Sequence, residues 1–190
     1  LQRKLTLITA PAGYGKTTLA SEWIHSLQAE DTANLRITWL SLEEADSEPI
    51  RFLSYVVAAL QQAAPDIGAG ALSLFEMAQS PPINSVLNEL INDIAGLDTH
   101  LMLVLDDYHV ISHPEIHEAL HYLVEHQPHQ LHLVITSRED PPLALSRLRA
   151  RGEMTEIRVH DLRFSLAETT QFFSHAMKLD LEAEVISGLE

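Results

Sequence analysis

The sequence predicts an α/β domain built on a largely parallel five-stranded sheet, and three observations carry that prediction. Short apolar runs alternate with amphipathic helical stretches along the chain. Leu101–Leu105, LMLVL, is apolar throughout, as expected of a strand covered on both faces. Leu5–Thr18, LTLITAPAGYGKTT, joins an apolar strand to a helix through a glycine-rich turn. That turn fits G-x-x-x-x-G-K-[ST], the phosphate-cradling P-loop pattern, except that Ala10 stands at the first glycine position.

The elements follow in order. Leu5–Thr9 reads as a buried strand and Lys16-Thr17-Thr18 opens a helix whose apolar face is Leu19, Ala20, Trp23, Ile24 and Leu27. The polar run 28–34 ends it, and RITWLSL, Arg36–Leu42, is the second strand. Phe52, Leu53, Val56, Val57, Leu60 and Ala63 mark a long helix that stops before Pro65. Ala64–Pro82, broken by glycines and by Pro81-Pro82, reads as a surface excursion with a short helix. Ile83, Val86, Leu87, Leu90, Ile91 and Ile94 form the next stripe, with Ser80-Pro81 as its cap and first-turn proline. After LMLVL a helix is expected from about His113, with Ser112 and Glu115 at capping-box spacing. LHLVIT, Leu131–Thr136, is the fourth strand, and TEIRV, Thr155–Val159, the fifth, with an arginine-rich helical piece, Leu143–Arg151, between them. Ser165 and Glu168 repeat the capping-box spacing and start a C-terminal helix.

Composition narrows the function. The 190 residues suit one domain with a full core, and 46% hydrophobic with 21% charged residues is ordinary for a globular chain. There is no cysteine, which excludes disulfides and thiolate metal sites. A net charge of −15 makes the chain a poor ligand for nucleic acid by itself. No run approaches the ~18 apolar residues of a membrane span, and a cytoplasmic location is the expectation. The chain opens at Leu1 almost inside a strand and ends in an apparent helix, Leu181–Glu190, so it reads as a piece of something longer.

Three strand ends carry chemistry. In the first, glycines 13 and 15 let successive N–H groups turn inward on phosphate oxygens, and the helix N-terminus adds its own donors. Ala12, Gly13, Tyr14, Gly15, Lys16, Thr17 and Thr18 are the candidate nucleotide-binding residues. Lys16 would reach the β- and γ-phosphates and the Thr17 hydroxyl would ligate Mg²⁺; Tyr14 either touches the nucleotide or covers the loop. In the second, Asp106 and Asp107 follow LMLVL: Asp106 is the candidate Mg²⁺ acid and Asp107 the group that orients the attacking water. In the third, Thr136-Ser137-Arg138 places a cation, Arg138, where it could read and stabilise the γ-phosphate. Lys16, Asp107 and Arg138 are thus the candidate catalytic set. His117-Glu118-Ala119-Leu120-His121 fits the zinc-protease pattern H-E-x-x-H, but Val124 stands where the longer metzincin motif needs glycine, and surface or boundary histidines are the expectation. Arg147, Arg149 and Arg151 face solvent, phosphate or a neighbouring subunit, with solvent favoured; Trp23 and Trp39 read as core residues.

Taken together, APAGYGKTTL, LSLEEADSEPIRFLSYVVAALQQ, LVLDDYH and ITSREDPPLALSRLRARGE make the chain resemble a known family over nearly its whole length. It is similar to the nucleotide-binding domain of MalT-like, large LuxR-type ATP-dependent transcriptional regulators. These are signal-transduction ATPases with numerous domains (STAND), relatives of AAA+ and NB-ARC proteins. The resemblance implies a P-loop NTPase three-layer sandwich, AAA+/STAND-like, over 1–164, with 165–190 starting a helical subdomain. It implies ATP/ADP binding with Mg²⁺, slow hydrolysis in the intact protein, a closed ADP form, and an ATP form that self-associates. By motif, Gly13, Gly15, Lys16 and Thr17 are Walker A, Asp106 and Asp107 the Walker B pair, and Arg138 the γ-phosphate sensor. Inducer and DNA would be bound only by domains beyond Glu190. Two other readings stay open: a nucleotide-gated interaction module without useful hydrolysis, and an AAA+ motor with Arg147 or Arg149 acting in trans.

Overall fold

The computed structural model describes residues 3–30, 34–77 and 81–163. Five parallel strands lie in the order β2-β3-β4-β1-β5: β1 (Leu5–Thr9), β2 (Leu35–Ser41), β3 (His100–Asp106), β4 (Leu131–Ser137) and β5 (Met154–Ile157). The register pairs Ile8 with Thr136, Leu103 with Leu133, and Ser41 with Asp106. Parallel pairing needs a crossover for every return, and each crossover here carries a helix. The apolar strands β1, β3 and β4 occupy the middle, while β2 and β5, whose residues are mostly half-exposed, are the edges.

Side-chain alternation along the strands separates two layers. Leu5, Leu7, Leu103, Leu105, Leu133 and Ile135 face the larger core with α2 (Pro49–Ala63), α3 (Ala69–Met77), α4 (Ile83–Ala95), α5 (Pro114–His126) and α6 (Leu145–Ala150). Ile8, Met102, Val104 and Val134 face the other way, onto Ala20 and Ile24 of α1 (Lys16–Ala29), with Trp23 packed at the margin. Each large aliphatic side chain so buried contributes about 1.5–3 kcal/mol. Among the described residues no helix is long and apolar enough to cross a membrane.

Local chemistry sets the helix ends, not always at the residue the spacing suggested. The Glu48 carboxylate accepts from the N–H groups of Ile50 (3.1 Å) and Arg51 (2.7 Å), with Pro49 as the first helical residue of α2. For α5 the cap is His113, whose Nδ1 accepts from Glu115 N–H at 3.3 Å, ahead of Pro114. Ser112, the expected cap, instead donates its own N–H to Ser47 Oγ (3.1 Å), because Pro114 suits the first helical position and moves the start by one residue. At α4 the N-cap is Pro82, with no side-chain cap bond, so Pro81 lies outside the helix; Ser80 falls outside the described residues.

The 64–82 stretch is more than a surface excursion. It contains α3, and Ala64, Ile67 and Ala71 are buried in the larger core. Gln61 Nε2 donates to Ile67 O (3.0 Å) and Gly68 N–H to Asp93 Oδ2 (2.8 Å). Gly68 has φ +81°, and a Cβ there would meet Val57 Cγ1 at 2.6 Å, so this turn tolerates nothing larger. The fifth strand ends at Ile157, before the expected Val159, because Asp161 Oδ2 accepts Arg158 N–H (2.8 Å) and starts α7 (Val159–Leu162). The helix expected from Ser165, and with it the 165–190 subdomain, lies outside the described residues.

Candidate nucleotide-binding site

The carboxyl ends of β1, β3 and β4 are neighbours, and the three loops that leave them meet at one edge of the sheet. The turn after β1 is held open by Gly13 (φ +85°) and Gly15 (φ +73°), both in the left-handed region. Gly15 is also the N-cap of α1; it offers no side-chain cap, and no acidic residue stands in the first turn. The first N–H groups of a fourteen-residue helix are therefore free to receive an anion. Ala12, Gly13, Gly15, Thr17 and Thr18 are exposed and Tyr14 is half-buried.

Lys16 is only 6% exposed, yet its ammonium makes one hydrogen bond, to Pro11 O at 3.1 Å. Burial lowers its pKa, and Arg138 lowers it further, while Asp107 and Asp106 pull it back up. Asp106 is buried at the end of β3. Its Oδ1 accepts from Thr17 Oγ1 (3.0 Å) and from Thr136 Oγ1 (2.5 Å), so both hydroxyl donors fall on one carboxylate oxygen. Asp107 follows at φ 58°, the one non-glycine residue with positive φ among the described residues. Its N–H donates to Thr136 Oγ1 at 3.0 Å. Arg138 is exposed and makes no hydrogen bond or ion pair among the described residues. Lys16, Thr17, Asp106, Asp107 and Arg138 are thus gathered at one place.

Motif reading left out two residues. Thr136 joins both acids, as described above. His109 lies in the short 3₁₀ turn Tyr108–Val110 that follows Asp107, with Nδ1 3.7 Å from Asp107 Oδ1. That nitrogen is buried without a hydrogen bond. Burial lowers the His109 pKa first, then Arg138, with Lys16 adding to it and Asp107 and Glu139 opposing. Its position two places after Asp107 was the available signal, but only the turn folds the ring back onto the acid.

The donor set fits a nucleotide phosphate with Mg²⁺. A buried ammonium carries two unplaced protons, a hydroxyl and a carboxylate are already paired, and an uncapped helix end faces them. Thr9 Oγ1, at the end of β1, is likewise buried without a partner.

The other candidates lie elsewhere. His117 Nδ1 is 2.8 Å from Tyr108 Oη, and His121 Nε2 is 3.7 Å from Glu125 Oε1. Arg147 pairs with Glu125, and Arg149 bonds Glu156 through Nε (2.5 Å) and Nη2 (3.1 Å). Arg149, then Arg158, pulls the Glu156 carboxyl down to about 2. Trp23 packs beside the smaller core, and Trp39 Nε1 donates to Ser41 Oγ (3.0 Å).

The chain is 39% identical over 179 residues to the HTH-type transcriptional regulator MalT of Cronobacter sakazakii, covering 94% of this chain and 19% of that protein. It is 38% identical over 186 residues to MalT of Klebsiella pneumoniae, covering 98% and 20%. The chain therefore spans about a fifth of the length of these relatives. Among solved structures, the Aeropyrum pernix ORC1 protein in complex with DNA superposes with TM-score 0.59 at 13% identity, covering 92% of this chain and 44% of that one. Cdc6p of Pyrobaculum aerophilum gives 0.51 at 20% identity, covering 82% and 38%. Those two likenesses establish the fold, an α/β P-loop architecture. Residues 2–138 match the family model described as Nephrocystin 3, N-terminal, and the chain belongs to that family.

Proposed function

We propose that the chain is the ATP/ADP-binding switch domain of a bacterial signal-responsive transcriptional regulator, with slow Mg²⁺-dependent ATP hydrolysis in the intact protein. The observation that carries this reading is the 3.0 Å bond from Thr17 to Asp106, which ties the first turn of α1 to the end of β3 beside a buried, under-bonded Lys16. Similarity to MalT regulators supports the regulatory context.

In this reading the N–H groups of Ala12 to Thr18 surround the phosphates, and Lys16 exchanges Pro11 O for phosphate oxygens. An ammonium already stripped of water by burial has less hydration to lose on taking up an anion. Thr17 and Asp106 hold Mg²⁺, which supplies charge neutralisation on the phosphates when bound. Asp107, beside them, orients water toward the γ-phosphate, and Arg138, free of internal partners, contacts that group and stabilises its charge. Inducer and DNA binding belong to other parts of such a regulator, and nucleotide-dependent self-association and a cytoplasmic location complete the proposal.

The test is nucleotide titration of the full chain by calorimetry. Lys16→Ala is expected to lower ATP and ADP affinity by roughly tenfold to a hundredfold, the value of a charge-assisted hydrogen bond set. Unchanged affinity overturns the assignment. For the hydrolytic step, single-turnover rates of Asp107→Asn and the parent chain are compared. Equal rates would favour a nucleotide-gated module that does not hydrolyse usefully.

A further inference from the structure

Thr136 is fully buried on β4, one position beyond the Leu105–Ile135 pair and two before Arg138. One hydroxyl serves two acids at once. It donates to Asp106 Oδ1 (2.5 Å) and accepts the N–H of Asp107 (3.0 Å). A threonine hydroxyl has one proton and two lone pairs, so this arrangement uses its proton and one lone pair. The first bond leaves Asp106 with Oδ1 committed to Thr136 and Thr17. The second sits on the residue whose backbone is at φ 58°, a conformation that costs an L-aspartate on the order of 1 kcal/mol and persists only where neighbours over-determine it. A serine could make both bonds; valine, of the same shape, could make neither.

From this geometry we infer that Thr136 is a positioning residue of the nucleotide site, holding the Asp106 carboxylate in the orientation that receives the metal and pinning the Asp107 backbone so that its side chain faces the phosphates. The inference rests on the nucleotide reading of the site, but the Asp107 bond belongs to the unliganded chain and is tested there. Because Arg138 leaves the end of β4 two residues after Thr136, displacement of that strand end would reach both acids through one oxygen. A purely packing role predicts a change in stability alone. A positioning role predicts a selective loss of the metal-dependent part of binding.

The test compares the full parent chain with Thr136→Val and Thr136→Ser by two measurements. Amide hydrogen exchange followed by NMR without ligand reads the Asp107 N–H. ATP affinity with Mg²⁺ and with EDTA reads the metal-dependent gain. Thr136→Val is expected to speed Asp107 exchange about tenfold or more. It should also cut the Mg²⁺ gain by a similar factor while the EDTA affinity stays within about twofold. Thr136→Ser should restore both. Protection of Asp107 and an undiminished Mg²⁺ gain in Thr136→Val overturn the inference, as does an equal loss with and without metal. A parent chain that shows no Mg²⁺ gain, with Lys16→Ala indistinguishable from it, overturns the site reading and this inference with it. Thr136→Ala, read in the same way, replaces the valine variant if that does not fold.

Discussion

Lys4 and Lys16 lie just beyond opposite ends of β1 and meet opposite fates. Lys4, at the amino end, donates from Nζ to Val124 O (3.2 Å) and Glu125 O (3.1 Å), closing the last turn of α5, with Glu153 3.9 Å away. Lys16, at the carboxyl end, is more buried and has one hydrogen bond. The pattern extends to their surroundings. Near Lys4, His132 Nδ1 bonds Arg3 O (2.6 Å) and its Nε2 bonds Thr6 Oγ1 (2.9 Å). Gln127 and Gln130 donate to main-chain carbonyls, and only their neutral amide oxygens are left without partners. Near Lys16 the ammonium has a single bond, Thr9 Oγ1 and His109 Nδ1 are buried without partners, and the exposed Arg138 guanidinium has no protein partner among the described residues. In the proposed reading the under-bonded charge at one edge serves binding, and the main-chain bonds at the other serve stability.

Size alone misleads in the same comparison. A cavity of about 570 Å³ opens under α1 at the amino half, bordered by Leu19, Trp23, His132 and Ile157. Its polar walls are already occupied, since Arg3 bonds Met154 O and Thr155 Oγ1 and His132 bonds Thr6. The proposed site lies instead at the edge where the buried Lys16 ammonium has a single bond.

Exchanging the charges sharpens the contrast. Lys4→Met should lower unfolding free energy by about 1–3 kcal/mol in urea melts, because two helix-end carbonyls lose a charged donor. Nucleotide affinity should be unchanged. Lys16→Met should leave stability level or raise it by about 1 kcal/mol, since an under-bonded buried charge is removed. Equal destabilisation by both variants would break the comparison.

Acidification is the next lever. Burial holds the His132 imidazole below its ordinary pKa, against an opposing pull from its bond to Arg3 O. Unfolded, the same ring titrates near ~6.5. Between the lowered folded value and ~6.5 the unfolded chain binds more protons, so stability rises with pH there and falls on acidification. Urea melts should therefore show lower stability at pH 5.5 than at pH 7.5. His132→Asn should reduce that slope, and His109 and His117, also lowered by burial, contribute in the same direction. An unchanged slope in the variant would mean that His132 is not the buried base it is taken for.

Several features were legible in the residue order because they depend on local spacing. The continuous apolar run Leu101–Leu105 marked β3 as a strand covered on both faces, since such a strand lacks polar alternation. Gly13 and Gly15 marked the turn, and Lys16, Thr17, Asp106 and Arg138 stood at strand ends that parallel topology brings together. Capping was harder. Ser112 and Ser165 had the right spacing, yet the start of α5 went to His113 because Pro114 outweighed the serine, and Ser165 lies outside the described residues. The 64–82 segment misled for a different reason: its local pattern is weak, and what places it is the tertiary fit of Ile67 and Gly68 against Val57 and Asp93.

The amino-acid sequence by itself determined the strand–helix alternation, the phosphate turn and the identity of the charges at each strand end. Periodicity and glycine conformation act within a few residues, so they can be read without the fold. Only the tertiary structure decided that Lys16 is buried with one bond, that His109 folds back toward Asp107, and that a single Thr136 oxygen serves both acids. The Thr136 outcome depends on groups about thirty positions apart meeting across β3 and β4, and at all three places burial and the number of available partners set each group's charge and reach.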